Sequence, residues 1–129
     1  NSNVLYVAFL PRGLGRTALS DDKSHRTQTR RRFMLLGQTL AGMQVWDVRR
    51  CVQVLHELGY DCPITLIGDG ESASLVSLAA LYEKVETVSV KNYPKNDKVQ
   101  PDYLNISRIV TPAQLLDLVR QRSRLNHRK

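Results

Sequence analysis

Pro63-Ile64-Thr65-Leu66-Ile67-Gly68-Asp69-Gly70-Glu71-Ser72-Ala73-Ser74 is the stretch on which the fold turns. A short apolar run of strand formers, residues 63–67, meets two glycines spaced by one residue. A helical pattern with small residues on one side then runs over 71–82. A strand, a tight glycine turn and a helix in direct succession are half of a parallel crossover unit. The rest of the chain supplies more of the same.

Residues 4–10 (VLYVAFL) form a continuous apolar run, as expected of a strand buried on both faces. Pro11-Arg12-Gly13-Leu14-Gly15 ends it, and residues 11–28 are expected to be loop. Helices are predicted over 29–59, with Thr29 as N-cap, Phe33, Leu36, Leu40 and Met43 on one stripe, and a break near Gly42. Val45, Val48, Val52 and Leu55 continue the pattern until Gly59 stops it. Residues 85–91 alternate as a half-exposed strand, and 92–105 read as loop. Thr111-Pro112 opens a last helix, expected over 111–123. Strands alternating with helices predict one α/β domain over 1–129. Its expected architecture is a three-layer sandwich on a small, mainly parallel sheet, with helices on both faces. No repeat interrupts it.

At 129 residues, with 42% apolar and 24% charged residues, the chain is long enough for one domain with a real core. No apolar run approaches the roughly 18–20 residues of a membrane span. No signal-peptide pattern opens the sequence; the abrupt start on an apolar strand suggests a piece of a longer protein, an exported parent included. Cys51 and Cys62 lack metal spacing, and either a buried Cys51 thiol or a bridge between the two fits the sequence.

The net charge of +7 is concentrated in Arg26, Arg30, Arg31 and Arg32 and in the tail Arg120, Arg122, Arg124, Arg128 and Lys129. Few aromatics interleave with these cations, as base stacking would require. A solvated face with a frayed basic terminus is therefore the expectation. Polyanion or nucleic-acid binding through the Arg26–Arg32 cluster is the alternative.

Chemistry in an open parallel sheet collects at the carboxyl ends of the strands, which singles out residues 68–74. Gly68-Asp69-Gly70-Glu71-Ser72-Ala73 matches a dinucleotide fingerprint formally. Against it, Asp69 and Glu71 would repel a pyrophosphate, and the next strand ends in Lys91-Asn92 rather than an acid; no cofactor is expected. The same stretch fits a nucleophile elbow, small-x-nucleophile-x-small. In register with the strand the nucleophile position holds Gly70, which cannot attack anything. A shift of two would make Ser72 the nucleophile, at the cost of extending the strand through Gly68 and Asp69. The favoured expectation is structural: glycines for a tight turn, and Ser72 and Ser74 in the first helical turn.

Arg12-Gly13-Leu14-Gly15-Arg16-Thr17, followed by residues 30–50 (RRRFMLLGQTLAGMQVWDVRR), resembles the middle of acetyl xylan esterase-like α/β hydrolases. Leu36-Gly37 and Gly42-Met43-Gln44-Val45-Trp46-Asp47-Val48 are the most specific part, and the likeness thins after about Asn92. It implies carboxylic (acetyl) ester hydrolysis in the parent through a serine, a histidine and an acid, and an acetylated carbohydrate as the parent's substrate. This sequence departs from that pattern. The elbow serine maps onto Gly70, and the strands that would bring the acid and then the histidine do not follow.

No catalytic residue is therefore expected; Ser72 is the one candidate nucleophile. Asp97, Asp102 and Asp117 lie downstream, and His127 falls in the basic tail, where a disordered end is expected. His25 and His56 read as loop and helix-flank residues, and no metal site is indicated. Arg12 and Arg16 border the end of the first run and could meet an anion near Gly70. Trp46 reads as packing, while Asp47 could pair with Arg49 or Arg50 or orient the Arg12 loop. The expectation is a non-catalytic or incomplete hydrolase domain. It is either a fragment that pairs with the rest of its own parent chain or a relic serving as scaffold.

Overall fold

The computed structural model describes residues 4–18, 20–96 and 101–128. It is an α/β fold built on a small parallel sheet. Strands β1 (Thr65–Asp69), β2 (Thr87–Lys91) and β3 (Arg124–Arg128) lie in the order β1-β2-β3. Thr65 is opposite Thr87, and Thr87 is opposite Arg124, so the strands advance across the sheet in sequence order. Helix α3 (Glu71–Ala80) crosses from β1 to β2, and α4 (Pro112–Arg122) crosses from β2 to β3. Right-handed crossovers stepping in one direction must put both helices on one face.

The side chains agree. Val88 and Val90 of β2 pack with Ala73, Val76 and Ala80 of α3 and with Leu115, Leu116 and Val119 of α4. Helix α2 (Leu40–Glu57) joins that row: Ala41, Val45 and Val48 meet Leu75 and Ala79 on the far flank of α3. Leu66 of β1 touches both clusters. The opposite face carries Ile67, 70% exposed, in register with Ser89 and Asn126. Of the expected three layers, the sheet and one helical layer are seen; no second helical layer is seen on that face among the described residues.

Three expected elements move. Residues 4–10 form no strand: they carry no regular structure, with Val4, Leu5, Tyr6, Val7, Phe9 and Leu10 all exposed, because no described strand lies alongside them. The third strand of the sheet is instead β3, in the segment expected to fray. Pairing with β2 ties it down, and Arg124 N–H donates to Glu86 O at 2.8 Å. Helix α1 (Lys23–Leu35) begins inside the predicted loop, because Asp22 accepts from the N–H groups of Ser24 and His25 and caps it there. The helical break falls at Gly37, at φ 68°, and not at Gly42, which continues α2 behind the Thr39 cap. The last helix starts as expected, with Pro112 behind a Thr111–Gln114 capping box. No described helix is long and apolar enough to cross a membrane.

Candidate functional site: the strand-to-helix elbow

Between β1 and α3 the whole reversal is made by one residue. Gly70 sits at φ 60° and ψ −123°, a conformation L side chains rarely adopt. Its N–H donates to Lys91 O at 3.0 Å, which ties the turn to the end of β2. A Cβ built on Gly70 would meet nothing within 4 Å. Gly68 is the opposite case. A Cβ there would lie 2.6 Å from Ser72 O and 2.8 Å from Ala73 Cα, so helix and strand approach more closely than any side chain permits. The turn is thus sharp, held on both sides and open above its apex, as a nucleophile elbow is.

Ser72 is bound into the turn's own backbone. Its Oγ accepts from Asp69 N–H and donates to Asp69 O, both at 2.8 Å. No imidazole is among its hydrogen-bond partners. Asp69 in turn accepts from Asn92 Nδ2 at 2.8 Å, with Asn92 at φ 48° closing the neighbouring strand end. Ser74 and Ser77 are fully buried on the inner side of α3.

The other candidates are dispersed. Arg12 is clamped by Asp47: Nε and Nη2 reach the carboxylate at 2.6–3.1 Å, and the Arg12 N–H donates to Oδ2 at 3.0 Å. Gln44 Nε2 donates to Arg12 O at 2.9 Å. The hydrogen bonds from Arg12 hold the Asp47 carboxyl below its usual range against the opposing effect of burial. This resolves the partner of Asp47 in favour of the Arg12 loop. Arg16 stands exposed on a 3-10 turn, Gly15–Thr17.

Asp102 pairs with Arg30, and Asp117 with Arg120. His127 lies on β3, its ring edge-on to Tyr93 at 6.3 Å. His25 and His56 sit on α1 and α2, and Asp97 lies outside the described residues. Cys51 is half-buried and Cys62 exposed, and both thiols are free. No described His, Cys, Asp or Glu cluster could hold a metal.

Two features escaped the sequence. One is an open groove of about 560 Å³ between α2, the end of α3 and residues 103–109, walled by Trp46, Tyr82 and Tyr103. Arg49 stacks over Tyr82 at 4.7 Å while bonding Glu83 at 2.8 Å, so its charge is already met.

The other is a set of buried hydroxyls behind the elbow. Ser74 Oγ and Tyr103 OH are 2.9 Å apart. Ser77 gives its hydrogen to Ala73 O, and Tyr93 OH meets the hydrogen-bond geometry with no group among the described residues. Burial pushes the Tyr93 phenol up to about 12, against a smaller opposing pull from the Ser77 hydroxyl. Burial also raises Tyr103, with Ser74 opposing. Tyr93 thus ordinarily titrates at 10.0 unfolded and near 12 folded. The folded chain keeps a proton that the unfolded chain releases, so this stability is full below the lower value and lost on rising through the upper. Unfolding free energy should therefore fall with pH above 10 by at most about 1.4 kcal/mol per unit for each tyrosine. Urea melts of the parent and Tyr93→Phe on either side of that pH check it: the variant should lose one tyrosine's share of the slope. Equal slopes would assign the alkaline loss elsewhere.

No family model, curated protein or solved structure matches this chain.

Proposed function

We propose that this chain is a hydrolase-like α/β domain, similar in design to acetyl xylan esterases, that hydrolyses no ester itself. The observation that carries this reading is Gly70: an elbow backbone at φ 60° and ψ −123°, open above, with no side chain to place there. Acyl transfer by a serine needs a nucleophile within hydrogen-bond reach of a base. Ser72 spends its hydroxyl on the Asp69 backbone, and its hydrogen-bond partners among the described residues include no base. What remains is the scaffold of the chemistry without its reactants.

A small activated acetate ester tests this with the parent chain, Ser72→Ala and Gly70→Ser. All three should hydrolyse it at the rate of buffer alone, since Gly70→Ser restores a hydroxyl but no histidine beside it. Turnover by the parent that drops by about 10³-fold or more in Ser72→Ala would make the chain a serine esterase and sink the proposal.

A second reading has one observation in its favour. Helix α1 carries Lys23, Arg26, Arg30, Arg31 and Arg32 with no acidic residue, and none of its residues is buried. Polyanion binding through this helix would weaken linearly with salt on a log–log plot. Replacing Arg26, Arg31 and Arg32 by alanine would flatten the slope on single-stranded DNA by about 2, roughly 0.7 per lost contact. A salt-insensitive or undetectable interaction with the oligonucleotide would leave α1 as a solvated helix.

A further inference from the structure

The row of helices extends past the sheet. α4 and α3 each cross between two strands, but α2 stands on the outer flank of α3 and leads into β1 from a segment with no strand among its described residues. The three helices share one face, so the same right-handed rule that placed α3 and α4 fixes what α2 should cross from. It should come from a parallel strand on the outer edge of β1. That edge is unpaired, because β1 has β2 as its sole neighbour among the described residues.

The chain owns a segment of the right kind. Residues 4–10 are continuously apolar and strand-forming, long enough at seven residues to span the five-residue β1, and carry no charge that would oppose pairing. They are also exposed, with Tyr6 at 84%. Their exit is fixed: Arg12 is bound to Asp47 and Gln44, and the position of a Gly13 Cβ lies 3.1 Å from Leu40, at the start of α2. One molecule thus displays an exposed apolar segment and an unpaired strand edge, and does not pair the two.

We propose that two copies of this chain exchange residues 4–10, each adding them as a fourth parallel strand to the outer edge of the other's β1. Because every copy offers both a strand and an edge, the exchange closes on a twofold axis and leaves neither exposed. Backbone hydrogen bonds of β1 supply the pairing, and Ile67 gains apolar neighbours on the open face of the sheet. The exchange does not depend on the elbow or on any hydrolase ancestry.

Sedimentation of the full chain over a range of concentrations tests this, beside the double variant Val7→Pro/Ala8→Pro. Adjacent residues of a strand turn their N–H groups to opposite sides, so one of the two prolines must fall in the ladder. The parent should sediment as a dimer that dissociates on dilution. The proline variant should show the monomer mass, a drop of about twofold, with its helical circular dichroism unchanged because residues 4–10 lie outside the core.

Where the segment lands is read by cross-linking. In a Cys51→Ala/Cys62→Ser background, Ile67→Cys is combined with Val7→Cys or Ala8→Cys and treated with a short bifunctional thiol reagent. A covalent dimer is expected from the pair that shares Ile67's face. A monomeric parent, a dimer indifferent to the prolines, or a link formed within one chain would each overturn the exchange; the last would show the segment closing its own β1.

Discussion

Gly68→Ala should cost the fold about 3 kcal/mol, although it adds one methyl group to a five-residue strand. The new Cβ would sit 2.6 Å from a carbonyl oxygen and 2.8 Å from an amide nitrogen and a Cα, all belonging to the first turn of α3. None of these can swing aside as a side-chain tip would. Either α3 lifts off β1 or β1 shifts against β2, and both loosen the Ala73–Val88 core. Gly70→Ala makes the instructive contrast. Its Cβ meets empty space, so only the backbone penalty at φ 60° and ψ −123° remains, about 2 kcal/mol. Denaturant melts of the two variants should therefore rank Gly68 ahead of Gly70. Equal costs would mean that strand and helix are not in the close contact described.

Leu115→Ala should be comparably damaging. Leu115 is 1% exposed and is among the largest fully buried side chains of the domain. It belongs to the cluster in which α4 meets α3 and β2, so the space it fills is bounded by three separate elements. Truncation removes its burial and leaves a cavity that elements held by backbone pairing cannot close, at about 3 kcal/mol. Leu118, three residues on and 43% exposed, is the internal control: Leu118→Ala should stay within about 0.5 kcal/mol of the parent. Thermal unfolding followed at the helical band measures both. A small loss at Leu115 would place α4 outside the cooperative unit.

The elements most visible in the sequence were those whose signals are local. The Gly68–Ser72 turn, the Thr111-Pro112 start and the alternation of 85–91 each carry their reason within a few residues, and each formed within a residue or two of its expected place. What was not legible depended on partners. Residues 4–10 have the composition of a central strand, but a strand exists only where a neighbour accepts its hydrogen bonds. The RLNHR of β3 shows the reverse: one apolar residue in five carries no period, and only the free edge of β2 makes it a strand. Asp22 outcompeted Thr29 as a cap because two N–H groups, of Ser24 and His25, reach its carboxylate.

At the site, the elbow could be read from its glycines, but the clamp of Asp47 on Arg12 joins residues 35 apart in the chain. No spacing rule encodes that contact.

The strand order has an electrical consequence. α2, α3 and α4 each lead into or out of parallel strands and so run antiparallel to them, and all three begin at the end of the sheet where Gly70 lies. Aligned peptide dipoles place roughly half a positive charge at the start of each helix. That end of the domain therefore carries a positive field from the backbone itself, offset near α3 by Glu71 in its first turn and by Asp69 just before it. Such a field comes from the order of the strands rather than from any side chain, so it persists whether or not a nucleophile stands at the apex.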